Sequence, residues 1–275
     1  MLNVERLPTE KKTPAPFSRH FCAASILVGA IGWSVVPAGS VTLSQPGEIG
    51  TTIVTVKKVT GFLGQEERTL GEGARVHLNE VLETGPDSHA ELELDDDTKL
   101  ALGPNGRLTL DDYAVGGSDE ASSGIALTVL KGAFRFVTGN SAKDSYRIDS
   151  PSATIGVMGT VVDLYAIDDD EVLMLLLEGG IQVCSLTAPG SLAGACRTLS
   201  EPNHIMYACA NGFLSDPFKW SDTLLPGVPI STVFPFLQDA PRVDPVKRAE
   251  YADISDDSDA TLAMIAELRK RCHTQ

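Results

Sequence analysis

From Ile53 onward the chain alternates between apolar and polar positions. Ile53, Val54, Val56 and Val59 bring β-branched residues close together, with glycines at 61 and 64 after them. Val76 and the pair Val81–Leu82 lead to a turn signal at Thr84-Gly85-Pro86-Asp87. Ala90, Leu92 and Leu94 then alternate with Glu91, Glu93 and Asp95, which gives a strand one dry face and one wet face. Asp95-Asp96-Asp97 turns the chain, and Leu100 and Leu102 alternate again. Gly103-Pro104-Asn105-Gly106 breaks the pattern before Leu108 and Leu110 resume it. Residues 111–124, rich in acids, Gly and Ser, predict a surface loop.

The second half repeats the rhythm. Ile125, Leu127 and Val129 precede Lys131-Gly132, and Phe134 and Phe136 share a face. Tyr146 and Ile148 form a short strand, then Ala153, Ile155 and Val157 another. Val161 to Ile167 are apolar around Asp163, and Asp168 to Glu171 make an acidic hairpin turn. Val172 to Leu177 are continuously apolar, the pattern of a strand buried on both faces. Gly179-Gly180 turns the chain into Ile181 to Leu186. The spacing predicts about ten to twelve short strands over residues 53–212, the mark of an all-β sandwich, barrel or strand-stacked solenoid.

Residues 213–246 read differently. Six prolines (Pro217, Pro226, Pro229, Pro235, Pro241 and Pro245) make this segment extended or irregular, because proline removes a donor and fixes φ. Over residues 247–275 a short C-terminal helix is expected. Leu262, Ile265, Ala266 and Leu268 have helical spacing, with Asp256, Asp257 and Asp259 at the start and Arg269, Lys270 and Arg271 at the end. Packing of this helix on the β domain is the preferred reading over contact with a partner.

The first forty residues add a compartment. Arg6, Lys11, Lys12 and Arg19 precede a 16-residue uncharged run from Phe21 to Val36, and small residues follow at Ala38, Gly39 and Ser40. That is the signal-peptide pattern, and the basic stretch ahead of the run argues against a buried core helix. Residues 1–38 are a signal peptide cleaved near Ala38, or an uncleaved N-terminal anchor. Residues 39–52, polar and Gly-containing, are a flexible leader, and residues 53–212 are the β domain. The expected location is the periplasm, or alternatively the face of the inner membrane, with membrane contact only through residues 21–36 if the segment is retained.

Composition supports this picture. Apolar residues are 43% of the chain and aromatics only 6%, with 25 glycines and 16 prolines, which suits many short strands and turns. Residues 1–38 hold four basic and two acidic side chains, so their removal takes the formal charge from −15 to −17. Such a surface repels phosphate backbones, so nucleic acid is not an expected partner. Of five cysteines, Cys22 lies in the export segment, leaving an even number in a compartment that permits disulfides. Cys184–Cys196 is the favoured bridge across a connection with Pro189, Gly190 and Gly194, and Cys209 is a rival partner for either. Closing a loop of that length stabilises by about 3 kcal/mol in the chain-entropy model.

Candidate chemistry is sparse. His77, His89, His204 and His273 form no pair with metal-ligand spacing, and there is no G-x-S-x-G elbow and no phosphate loop. The acidic runs at Asp95–Asp97 and Asp168–Glu171 lack EF-hand spacing and read as solvated hairpin tips. No catalytic residue, metal site or cofactor is expected.

Several blocks together resemble the FecR domain. They are Leu82-Glu83-Thr84-Gly85, Ala90-Glu91-Leu92-Glu93-Leu94, Leu100-Ala101-Leu102-Gly103, and Leu130-Lys131-Gly132-Ala133-Phe134-Arg135-Phe136. Ile148-Asp149-Ser150-Pro151-Ser152-Ala153-Thr154-Ile155-Gly156-Val157-Met158-Gly159-Thr160 and Leu177-Glu178-Gly179-Gly180-Ile181-Gln182-Val183 complete the set, which runs over residues 53–205. The resemblance implies an extracytoplasmic β domain without a known active site. In its best-known members such a domain transmits signals from outer-membrane iron transporters to sigma factors. The motif residues Gly132, Gly156, Gly159, Thr160 and Gly179 are expected to maintain the fold. Gly156 and Gly159 would permit tight turns or close approach of another strand. Met158 stands where the family often has Arg, and Val162 where it often has Phe. The short stretch ahead of the apolar run leaves little room for a cytoplasmic sigma-binding domain.

The expected function is a non-catalytic periplasmic protein-binding or scaffold module. Its partner would be another periplasmic or envelope protein, adding a segment to an exposed strand edge. The alternatives are a transmembrane signal transducer coupled to a sigma-factor or transport pathway, and a cell-wall hydrolase.

Overall fold

The computed structural model describes residues 47–115, 122–142, 145–188 and 191–273, with only the backbone entering at 112–124 and 187–195. Residues 1–46, with the expected signal or anchor segment and most of the expected leader, lie outside these. Sixteen strands form one hydrogen-bonded network that folds into two layers. The front sheet runs β4 (Arg75–His77), β1 (Glu48–Val56), β6 (His89–Leu94), β7 (Lys99–Leu102), β9 (Ser122–Val137), β12 (Val161–Ala166), β13 (Glu171–Glu178) and β16 (His204–Cys209). The back sheet runs β3 (Glu66–Thr69), β2 (Val59–Leu63), β5 (Glu80–Thr84), β8 (Arg107–Val115), β9 again, β10 (Tyr146–Asp149), β11 (Ala153–Val157), β14 (Ile181–Ala188) and β15 (Ser191–Leu199). Every pairing is antiparallel except β9 with β10.

The shared strand β9 explains the layering. Its first half pairs with β8 and β10 in the back sheet, its second half with β7 and β12 in the front. The change falls at Leu130–Gly132, where the β8 register shifts. Gly132 has φ +84°, and a Cβ there would lie 2.9 Å from the Gly106 Cα. Only glycine takes that corner without strain.

Alternation along the strands fills the space between the sheets. Leu92, Leu100, Leu102, Phe134 and Phe136 from the front meet Leu82, Leu108, Leu127, Ile148 and Ile155 from the back in one buried cluster. The architecture is therefore a two-layer β-sandwich, the first of the three β architectures expected.

A second cluster lies on the outer face of the front sheet. Leu173, Leu175 and Leu177 of β13 and Ile205 and Tyr207 of β16 are covered by Phe218, Trp220, Leu224, Val233 and Phe234. This is why the run 172–177 is apolar at every position: its even members face the back sheet and its odd members face the C-terminal covering. That covering is largely irregular, with one turn of helix α1 (Ile230–Val233), a 3-10 turn at Pro235–Leu237 and a second short helix α2 (Tyr251–Ile254). Helix α3 (Asp259–His273) closes it and buries Thr261, Ile265 and Leu268. The buried stripe starts one position earlier than the apolar spacing suggests. Leu262 is half-buried and Ala266 is exposed, because the helix leans on the sheet edge along one narrow line. Among the described residues no helix is long and apolar enough to cross a membrane.

Three local expectations are corrected. The first strand begins at Glu48, so residues 48–52 belong to the sheet and not to a leader; Thr52, a polar residue, is buried there and its hydroxyl bonds the Gly71 carbonyl. Residues 111–115 and 122–124 are paired strand backbone and not loop. Among the described residues sixteen strands replace the ten to twelve expected; β3 and β4, too short and polar to alternate visibly, are two of the additional ones.

Candidate binding surface

The motif glycines sit where the chain passes between sheets. Gly132 is the corner of β9. Gly159 (φ +71°) joins β11 in the back sheet to β12 in the front, and Gly179 (φ +82°) joins β13 in the front to β14 in the back. These last two turns touch: a Cβ on Gly179 would collide with the Gly159 carbonyl. Thr160 locks them together. Its hydroxyl donates to the Gly180 carbonyl at 2.5 Å and accepts the Met158 N–H at 3.2 Å, while its own N–H donates to the Thr138 hydroxyl at 2.8 Å. Gly156 differs. It lies inside β11, and the nearest atom to a Cβ would be the Gln182 carbonyl at 3.9 Å, so close approach is not what it provides. Of the two departures from the family pattern, Met158 is exposed at this turn and Val162 is wholly buried in the core.

The cysteines pair as Cys184–Cys196 and Cys209–Cys272. The first bridges directly opposed positions of β14 and β15. The second ties α3 to the end of β16, so Cys209 joins the helix and neither hairpin cysteine.

Strand edges offer a partner little. β16 is already capped: Ile205 exchanges two backbone bonds with Phe218, and Ser215 donates to the Tyr207 carbonyl. β3 and β4 have four and three residues, with exposed Glu66 and Glu67 on one and Arg75 bound to Glu48 and Asp95 on the other. β15 carries register shifts against β14. Short, charged and bulged strands are devices against edge pairing.

The outer face of the front sheet holds what the pattern of alternation hides. One cross-strand row runs Glu91, Ala101, Arg135, Asp163 and Leu175. Arg135 binds Asp163 through two parallel bonds of 2.6 and 2.8 Å, both side chains being buried. Asp244 from the covering segment lies 3.7 Å from Arg135 and holds Arg248 at 2.8 Å, and Arg248 also reaches Glu178. Phe236 stacks under the Arg135 guanidinium at 5.7 Å. Glu91 accepts the Val243 N–H at 2.9 Å. Burial raises the Asp163 carboxyl, against the pull of Arg135. Residues 235–248 thus form a strap pinned across the sheet by charges. The sequence does carry a trace of this: Asp163 interrupts an apolar run, and Arg135 stands between two phenylalanines.

The other titratable groups are spent on structure. Burial, then the Glu171 carboxylate, raises the Tyr207 hydroxyl, which stays protonated and donates to Glu171. Glu80, fully buried, takes two bonds from Arg68 and the His77 N–H. His77, His89, His204 and His273 each lie beside a glutamate. Among the described residues, none of the four hydrogen-bonds a Ser, Thr or Cys side chain, and no group of three or more His, Cys, Asp or Glu is placed to hold a metal.

The fold and site define a β-sandwich domain whose chain is stitched between its sheets at motif glycines. Residues 80–182 match the family described as FecR protein, a stretch that contains all three glycine crossings. Two crystal structures of a putative anti-sigma factor from Parabacteroides distasonis ATCC 8503, at 1.65 and 2.50 Å resolution, are similar at 16% identity with a TM-score of 0.36. The similarity covers 49% of this chain and 57% of that one, little more than half its length. The comparison with curated proteins gives no match.

Proposed function

We propose that this protein is an exported, non-catalytic module of the bacterial envelope that works by binding another envelope protein. The observation that carries this reading is the fate of the FecR motif: Gly132, Gly159, Thr160 and Gly179 are consumed in joining the two sheets, the Thr160 hydroxyl being spent on the Gly180 carbonyl. What remains for function is surface. The signal-like pattern of residues 1–38 and the two disulfides support a periplasmic location.

Cross-linking in the native envelope from probes at Thr109 and Thr128, on the exposed face of the back sheet, tests it. A discrete, stoichiometric complex is expected. Absence of any complex from either position, under growth conditions varied for iron and stress, overturns it. Signal transduction is the second reading, favoured by the FecR match. It requires an uncleaved anchor, so a mature terminus at Gly39 by mass spectrometry removes it.

A further inference from the structure

Between the strap and the outer face of β1 and β6 lies a groove of about 510 Å³, within the range of small-molecule sites. Val54 and Val56 form its apolar floor, and Phe236, Ala240 and Pro241 its opposite wall. Glu91 and His89 complete the floor. Glu91 is 4% exposed. One of its oxygens is taken by the Val243 N–H, but the other has only the His89 ring, 3.7 Å away, beyond hydrogen-bond reach. That second oxygen opens into the groove and can take a charged donor from a ligand lying there. Asp87 and Asp239 add negative charge along the same groove, where Arg242 is drawn toward Glu72 at 3.6 Å.

We propose that this groove binds a small organic cation, a primary amine carrying an apolar body. The ammonium donates to the free oxygen of Glu91, and the body lies between Val54 and the Phe236–Pro241 wall. An anion of the same shape is repelled by the three carboxylates, and a neutral analogue lacks the charge-assisted bond. The site is independent of the partner proposed above.

Calorimetry on the full chain with 2-phenylethylamine, 2-phenylethanol and 3-phenylpropionate tests this. Saturable binding of the amine is expected, with the alcohol about tenfold weaker and the acid not bound. Glu91→Gln keeps an acceptor for the Val243 N–H and should weaken the amine about tenfold while leaving the alcohol unchanged. Ala240→Trp, a change at an exposed strap position, should fill the groove and abolish both, and it keeps the test valid if the Gln variant unfolds. The proposal fails if the amine does not saturate at millimolar concentration, if it binds no tighter than the alcohol, or if Ala240→Trp leaves it unaffected.

Discussion

The two outer faces of the sandwich have opposite fates. On the front sheet, β13 is apolar at every position from Val172 to Leu177, and the face it turns outward is roofed by Trp220, Phe234 and α3. On the back sheet β5, β10 and β11 alternate buried and half-exposed positions, and the outward row runs Val81, Thr109, Thr128, Asp149, Thr154. These side chains are half-exposed and satisfy one another: Thr128 donates to Asp111 at 2.5 Å, and Thr154 and Arg147 bond Asp149 at 2.8 Å. One face therefore depends on the rest of the chain for its burial, while the other is finished in itself. On the function proposed above, the same sandwich carries a structural side and a presenting side.

The sharpest break of this contrast is truncation after Gly212. Removing residues 213–275 strips the roof from Leu173, Leu175, Ile205 and Tyr207, and each such side chain contributes roughly 1.5–3 kcal/mol on burial. The loss reaches the whole stability of an ordinary domain, about 5–15 kcal/mol, so the truncated chain should aggregate or melt below growth temperature. A soluble truncation product with a cooperative thermal transition would show that the front face needs no cover.

Ion pairs on the two faces give the next test. Asp163→Ala leaves Arg135 buried without its two bonds and should cost about 3–5 kcal/mol in urea unfolding, softened to the extent that Asp244 moves in. Asp149→Ala removes a pair of the same chemistry from the back face and should cost under about 1 kcal/mol. Equal costs would erase the distinction. The glycines divide in the same way. Gly179→Ala combines a positive φ with a backbone collision at the crossing and should cost about 2–4 kcal/mol. Gly156→Ala on the back face meets only the Gln182 carbonyl, in ordinary contact at 3.9 Å, and should shift stability by no more than about 0.5 kcal/mol.

The contrast was half legible in the sequence. The continuous run at 172–177 announces a strand covered twice. Alternation at 90–94 announces a strand covered once, yet Glu91 on its outer side is buried beneath the strap. What covers the run could not be read. Residues 213–246 have no period for a pattern to expose, because Trp220, Phe218 and Phe234 reach the sheet from irregular backbone fixed by prolines. Gly132 and Gly179 look like ordinary turn glycines, since sequence does not separate a hairpin turn from a passage between sheets. Arg135 and Asp163 occupy what reads as the wet face of their strands, and only the strap makes that face dry.

A smaller effect probes the tether between the layers. Tyr146 of β10 donates to Asp96 at the β6–β7 turn at 2.6 Å, and the Thr98 N–H adds a bond at 3.0 Å. Burial raises the Asp96 carboxyl, but these donors outweigh it and hold it below its usual value. A carboxyl depressed in the folded state adds stability above its unfolded value near 4, and that stability is lost as pH falls through the folded value. Tyr146→Phe should flatten the acid limb of the stability curve below about pH 4. An acid limb unchanged in the variant would assign the acid sensitivity elsewhere.

The smallest expected change is the most diagnostic of the presenting side. Thr128→Val keeps the shape and β propensity of the residue and deletes one hydroxyl bond to Asp111 on the bare face. Water replaces that bond, so stability should move by no more than about 0.5 kcal/mol. If the back face is the contact surface, the same substitution should nevertheless weaken a cross-linked envelope complex, because the Thr–Asp row loses a polar group it displays. A variant with unchanged melting but a diminished complex ties contact to this face. A variant that loses stability instead makes the row part of the scaffold, and the two faces of the sandwich would then differ in covering but not in role.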